Sequence, residues 1–229
     1  MPYSTTTAPA RFLLLGDSHA RAIGRAASAA GIDFRGGPLG AGREFTSAFF
    51  APREDDVVFD RPEAQQLYQG FLAELGVETL AGLAVPLVAT FGFSAHFVAT
   101  KENWHVYRQD DGTFPEGFLG GELFDAIVRA TVRDALAFYQ HARALGLRVL
   151  AVLPPQRVPG QSDAAVFMAA QECIARAVAA AGAEIVDLRP RLTDASGFQR
   201  PEFCEPDDEI HGNLASGRLI LRELLERGL

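Results

Sequence analysis

Short, wholly apolar runs alternate with amphipathic stretches along most of this chain. Phe12-Leu13-Leu14-Leu15 is apolar at every position and closes on Gly16, the pattern of a strand covered on both faces. Residues 18–30 follow with an alanine-rich helical pattern that ends at Gly31. Residues 32–35 read as a second short strand. It runs into a segment where Gly36, Gly37, Gly40 and Gly42 let backbone, rather than side chains, approach a neighbour closely. Further buried strands are expected at 83–91, ending at Gly92, at 147–153, stopped by Pro154-Pro155, and at 183–188. Between and after them lie helical patterns at 122–145, closed by Gly146, at 163–181, closed by Gly182, and at 212–227.

Parallel strands need crossover connections, which helices usually supply, so this alternation predicts an α/β fold. The expected architecture is a single domain over 1–229, a three-layer α/β/α sandwich around a mainly parallel five-stranded sheet. Two segments exceed the bare alternation. Residues 43–82 hold a polar loop at 53–60 and a helix-like piece at 63–75; residues 95–120 hold Trp104, Tyr107, Phe114 and Phe118 among polar residues and glycines. Both follow strand ends, where open α/β sheets bind ligands, so both are expected to wall a pocket.

Composition narrows the partners. The 229 residues are 48% hydrophobic and 22% charged, which excludes a disordered chain. A net charge of −8, with Lys101 the single lysine, argues against nucleic acid and against an anionic membrane surface. A small or neutral partner is expected. Cys173 and Cys204 have no metal-type spacing and sit in unlike contexts, which reads as two reduced thiols, with one disulfide as the alternative. Residues 1–10 have no basic segment followed by an apolar run, and no stretch reaches membrane-spanning length, so the expected location is cytoplasmic.

Two segments carry candidate chemistry. Gly16-Asp17-Ser18-His19 lies between a buried strand and a helix. A serine there presents its hydroxyl at the carboxyl edge of the sheet. Its own N–H belongs to the helix's first turn, where unpaired donors and the positive dipole end favour an anion. Asp and Ser are also favoured N-caps, so the tetrapeptide alone equally fits an ordinary helix start. Near the other end of the chain stands Asp207-Asp208-Glu209-Ile210-His211. A serine hydroxyl needs a base, and an imidazole base needs a carboxylate on its other nitrogen. Asp208, three residues before His211, is placed to reach Nδ1 in one tight turn; a solvated acidic loop with a surface histidine is the bland alternative.

In combination these segments resemble the SGNH (GDSL-type) hydrolases. Gly16-Asp17-Ser18 matches that family's nucleophile block and Asp208-Glu209-Ile210-His211 its Asp-x-x-His block, and the resemblance spans residues 11 to about 220. It implies a flavodoxin-like fold, a serine hydrolase acting on a carboxylic ester, and no metal or organic cofactor. The implied roles are Ser18 as nucleophile, His211 as base and Asp208 as its orienter. The implied substrate is a small acyl ester or an O-acylated carbohydrate. An O-acyltransferase using the same triad, and an SGNH-fold binding protein without turnover, are the alternatives.

The resemblance also implies an oxyanion hole formed by the N–H of Ser18 and a glycine of the second block, Gly40 by its Gly-x-x-Gly spacing, with Gly42 close behind. The third block departs from the pattern. Where the family usually has Gly-x-Asn, this chain reads Gly92-Phe93-Ser94, and its two asparagines, Asn103 and Asn213, lie elsewhere. Ser94 is the expected substitute donor. Asp17, His19, Arg43, His96 and Trp104 are further candidates for contact with substrate, each with an ordinary structural reading beside it.

Overall fold

The computed structural model describes residues 9–229. Among the described residues seven strands are present: β1 (Leu13–Gly16), β2 (Arg35–Pro38), β3 (Phe50–Pro52), β4 (Val57–Phe59), β5 (Leu87–Ala89), β6 (Val149–Val152) and β7 (Glu184–Val186). The helices are α1 (Ala20–Ala29), α2 (Pro62–Leu75), α3 (Ala95–Val98), α4 (Lys101–Trp104), α5 (Glu122–Thr131), α6 (Arg133–Ala144), α7 (Ala164–Ala180), α8 (Arg189–Leu192) and α9 (Leu214–Glu226).

Five strands form one sheet in the order β2-β1-β5-β6-β7, and every pairing in it is parallel. This is the doubly wound order that reverses direction beside β1, so the carboxyl end of β1 is a switch point where a crevice opens. Strand alternation sorts β1 between two cores. Leu13 and Leu15 pack with α2, α5, α6 and α7 on one face; Phe12 and Leu14 pack with α1 and α9 on the other. The α/β sandwich expected from the alternation of apolar runs is the observed fold.

Three details differ from the sequence reading, each for a local reason. Strand β2 does not occupy 32–35 but starts at Arg35 and runs through Gly36 and Gly37. Gly36 has φ +102°, and a Cβ there would press into the Leu14 carbonyl, so the edge strand lies too close to β1 for any other residue. The helix expected over 122–145 is two, broken at Val132, just after the Thr131 hydroxyl bonds the Val128 carbonyl at 2.7 Å. Such a bond competes with the helical ladder, and β-branched neighbours weaken it further. The polar loop at 53–60 is in fact the turn and second strand of the β3–β4 hairpin, antiparallel with Phe50 opposite Phe59.

The two long inserts mostly build core. Phe45, Phe49 and Phe59 of the first stack around Phe91, with ring centroids at 4.8, 5.3 and 6.3 Å. In the second, Trp104 packs on Phe118 and Phe124, at 6.2 and 5.0 Å. Aromatic rings of this size contribute most of their stabilisation by leaving water, which is what these inserts achieve.

Candidate active site

Ser18 sits in the turn between β1 and α1, and His211 precedes α9 on the same face of the sheet. Their side chains meet although 193 residues separate them: Ser18 Oγ lies 2.7 Å from His211 Nε2. On the other side of the ring, Nδ1 lies 2.7 Å from Asp208 Oδ2. With Nδ1–H donated to Asp208, Nε2 is left as the acceptor for the serine O–H. The Asp208 carboxyl is pushed down to about 2. Burial works to raise it but is outweighed by the His211 ring and by the N–H groups of His211 and Ile210, both bonded to Oδ1.

The loop that carries both residues is held at its base. Glu205 N–H donates to the His211 carbonyl, and Cys204 and Gly212 form an antiparallel bridge. Arg157, beyond the end of β6, donates from Nη1 to the carbonyls of His211 at 2.9 Å and Glu205 at 3.1 Å. Asn213 caps α9 through its side-chain oxygen and donates its amide to the carbonyls of Glu202 and Cys204. Within this clamp Asp207 takes φ +58°, an uncommon conformation for a non-glycine residue that Asp tolerates better than most. Sequence reasoning missed both holders. Asn213 carried a usable signal as a favoured N-cap directly before an amphipathic run, whereas Arg157 carried none.

Two backbone donors beside one surface groove stand unpaired. Among the described residues, neither the Ser18 N–H nor the Gly40 N–H has a hydrogen-bond partner. Ser18 and Gly40 line one shallow groove together. A Cβ on Gly40 would collide with the Glu44 carboxyl, which accepts from the Ala41 N–H and pairs with Arg61. Glycine at 40 therefore lets the loop close over this pair.

The remaining candidates are placed differently from the expectation. Ser94 is 5% exposed and donates its hydroxyl to Asp17 Oδ2 at 2.8 Å, so its one proton is already committed and it supplies no oxyanion donor. Gly42 is buried where a Cβ would collide with Ser94 and crowd Phe97, outside the groove that Gly40 lines. Asp17 is fully buried. It accepts from the Thr90 and Ser94 hydroxyls and from the His19 N–H, which ties the turn before Ser18 to the end of β5 and removes it from any substrate. Arg43 lies over the Phe97 ring, 5.5 Å from its centroid, and borders neither space beside Ser18. Trp104 is buried, its Nε1–H on the Val98 carbonyl, and lines a separate pocket inside the second insert. His96 is buried and borders neither space. Of the five substrate-contact candidates only His19 reaches the cavity beside Ser18, its ring centroid 5.2 Å from that of His211.

Three imidazoles thus cluster here, and burial separates them. His19 is lowered chiefly by burial, against the pull of Asp17; His96 is lowered to about 4 by burial and by His19. Both stay neutral near pH 7, and His211 alone of the three is bonded to both a carboxylate and the Ser18 hydroxyl. Among the described residues, no group of three or more His, Cys, Asp or Glu side chains is arranged to hold a metal ion, and no helix is long and apolar enough to cross a membrane.

Ser18 borders two spaces. One is a cavity of about 430 Å³ lined by Ser18 and His211, by the apolar Ile23, Val152 and Ile220, and by the charged Arg21, Arg25, Glu205, Asp207 and Asp208. The other is the groove of about 280 Å³ on the Gly40 side, between Leu39 and Leu67. The inserts contribute little to either: Leu67 alone comes from 43–82, and nothing from 95–120.

No protein-family model matches the chain, and no curated protein matches it in sequence. Solved structures do match in fold. An acetylxylan esterase from Geobacillus stearothermophilus superposes with a TM-score of 0.50 at 10% identity, over 95% of this chain and 94% of its own. A GDSL-like lipase from Bacteroides thetaiotaomicron gives 0.49 at 14% identity, over 95% and 86%. The likeness is one of fold: the chain shares the α/β architecture of the acetylxylan esterase structure.

Proposed function

We propose that this chain is a serine hydrolase of the SGNH type that cleaves a carboxylic ester through an acyl-enzyme on Ser18. The observation that carries the reading is the continuous relay from Ser18 Oγ through both nitrogens of His211 to Asp208, at 2.7 Å for each link. His211 takes the serine proton as Oγ attacks the acyl carbonyl, and Asp208 stabilises the imidazolium that forms. The free N–H groups of Ser18 and Gly40 receive the developing oxyanion. His211 then delivers its proton to the leaving alkoxide, and a water activated by the same ring releases the acid. With Ser94 committed to Asp17, the hole has two backbone donors and no side-chain donor from the third block.

The test is labelling with a fluorophosphonate probe together with turnover of p-nitrophenyl acetate, with Ser18→Ala and His211→Ala as controls. The expected result is stoichiometric labelling of wild type and none of Ser18→Ala, with turnover lost in both variants. Equal labelling of wild type and Ser18→Ala sinks the assignment.

A further inference from the structure

The groove beside Ser18 has apolar walls, from Pro38, Leu39, Ala41 and Leu67, and one charged side chain lines it, that of Arg21. Arg21 also lines the larger cavity, where Arg25, Glu205, Asp207 and Asp208 are the other charged groups. The acids near it are engaged or placed elsewhere. Glu205 pairs with Arg25 and Asp208 holds His211, while Asp207 lines the cavity but not the groove. Asp17, close in sequence, is fully buried and occupied by Thr90, Ser94 and the His19 N–H. Arg21 is exposed and, among the described residues, has no ion-pair partner. Its position also works against the fold. It stands in the first turn of α1, where the helix dipole disfavours a cation and no acidic residue offsets it, and four residues from Arg25, a like charge on the same helix face.

Resting on the serine-hydrolase reading above, we propose that Arg21 selects esters whose acyl chain ends in a carboxylate, the half-esters of a short dicarboxylic acid. The chemistry of acyl transfer puts that chain in the groove. The leaving oxygen must come within reach of His211 Nε2, which protonates it, and His211 borders the cavity and not the groove. The alcohol half therefore extends into the cavity. With the carbonyl oxygen on the N–H groups of Ser18 and Gly40, the acyl chain leaving the same carbon lies along the groove that Gly40 and Arg21 line. The apolar walls cover its methylene groups, and the planar guanidinium takes the terminal carboxylate through two parallel N–H bonds. A volume of about 280 Å³ keeps the chain short. The terminal carboxylate takes no part in the bond changes: half-ester and one water give the alcohol and the dicarboxylate, through the acyl-enzyme on Ser18.

The experiment measures kcat/KM on the full-length protein for monoethyl succinate and for ethyl 4-methylpentanoate, a neutral ester of like shape, by release of ethanol. Their ratio cancels any change common to both substrates. It is expected above one in wild type and about tenfold lower in Arg21→Gln, as loss of a charge-assisted bond at a partly wet site would do. Arg21→Glu should lower it further, and Arg21→Lys, which keeps the charge without the fork, should fall between. Raising NaCl from about 0.05 M to about 1 M shortens the screening length to about 3 Å, so the wild-type ratio should fall and that of Arg21→Gln stay level. A wild-type ratio below one, or equal ratios in wild type and Arg21→Gln, overturns the proposal. A second ratio, acetoxyacetate against ethyl acetate, moves the charge to the alcohol half; if Arg21→Gln changes this ratio and not the first, the cavity reads the anion and the assignment to the groove falls. So it does if wild type labels at Ser18 with the fluorophosphonate yet turns over neither succinate nor pentanoate ester. Labelling of each variant at Ser18 shows that it has folded. Absence of labelling in wild type overturns the hydrolase reading itself, so the two failures are distinguishable.

Discussion

Removing the Ser94 hydroxyl separates two roles that the sequence leaves confounded. If Ser94 supplied an oxyanion donor, Ser94→Ala would cost about 10²–10³ in kcat and little stability. The structure places the hydroxyl on Asp17 Oδ2 at 2.8 Å, 5% exposed, with Thr90 on the other carboxyl oxygen at 3.0 Å. Deleting one partner leaves a buried acceptor unsatisfied, at a cost of about 1–3 kcal/mol. In a domain of this size each kcal/mol lowers Tm by about 2–4 °C, so the expected loss is about 2–12 °C. The expected fall in kcat on p-nitrophenyl acetate is less than about tenfold, arising from looser placement of Ser18.

Calorimetry and steady-state kinetics on the same preparation read both effects. Thr90→Val removes the second hydroxyl from the same carboxyl and should give the same pattern. The double variant should destabilise by less than the two singles combined, because both act through Asp17. A kcat loss beyond a hundredfold with a Tm shift under about 1 °C would refute the placement of Ser94 and return it to the oxyanion hole.

Gly40→Ala forces a methyl group onto the Glu44 carboxyl, which must give up the Ala41 N–H; moving the Gly40 N–H is expected to cut kcat about a hundredfold with little change in KM, read by Michaelis kinetics. Burial and the neighbouring His19 hold His96 at about 4 against 6.5 when unfolded. The unfolded chain therefore takes up this proton first, and stability falls by about 2–3 kcal/mol as pH drops from about 6.5 toward 4. Urea unfolding at pH 7 and pH 4.5 checks it, and His96→Gln should flatten the difference; an unchanged difference refutes it. The stabilisation tied to Asp208, held at about 2 against 3.8, is lost only below that window. Arg157→Gln removes the double bond to the Glu205 and His211 carbonyls; kcat should fall about 10–100-fold with KM nearly unchanged and Arg157→Lys recovering part of it, whereas equal kcat in all three proteins refutes a positioning role.

Much of the fold is legible because β1, β5 and β6 are buried on both faces, and such strands must be apolar at nearly every position. β2 is illegible for the opposite reason. It is an edge strand built of Arg35, Gly36, Gly37 and Pro38, where close approach to β1 overrides strand propensity. The hairpin at β3 and β4 hides behind the charges of its turn, residues 53–56. At the site, Asp208 and His211 are readable because a separation of three residues lets one turn join them, and the bond appears at 2.7 Å. Ser94 is misread because its partner, Asp17, lies 77 residues away, and position alone suggests a donor facing substrate. The aromatic insert at 95–120 looks like a pocket wall by composition. Burying Trp104, Phe118 and Phe124 together excludes more apolar surface from water than facing a cleft would.

The two aspartates of the site show why residue type underdetermines role. Asp17 adjoins Ser18 in sequence yet has both oxygens occupied by neutral donors, the Thr90 and Ser94 hydroxyls and the His19 N–H. It is fully buried, away from solvent, and fastens the end of β1 to the end of β5, which fixes the direction in which Ser18 leaves the sheet. Asp208 is 190 residues from Ser18, partly exposed, and bonded to an imidazole whose other nitrogen meets the Ser18 hydroxyl. A carboxyl that meets only neutral donors can set position. One that meets an imidazole can also stabilise a charge on that ring. The same division holds among the histidines: desolvation keeps His19 and His96 neutral, so a proton withdrawn from Ser18 has one destination. If that division is right, Asp17→Asn should lower Tm and kcat together, while Asp208→Asn should lower kcat by orders of magnitude with Tm at pH 7 falling far less. Comparable kcat losses from the two substitutions at equal Tm would mean that Asp17 acts on the reaction directly, and the assignment of roles would have to be reversed.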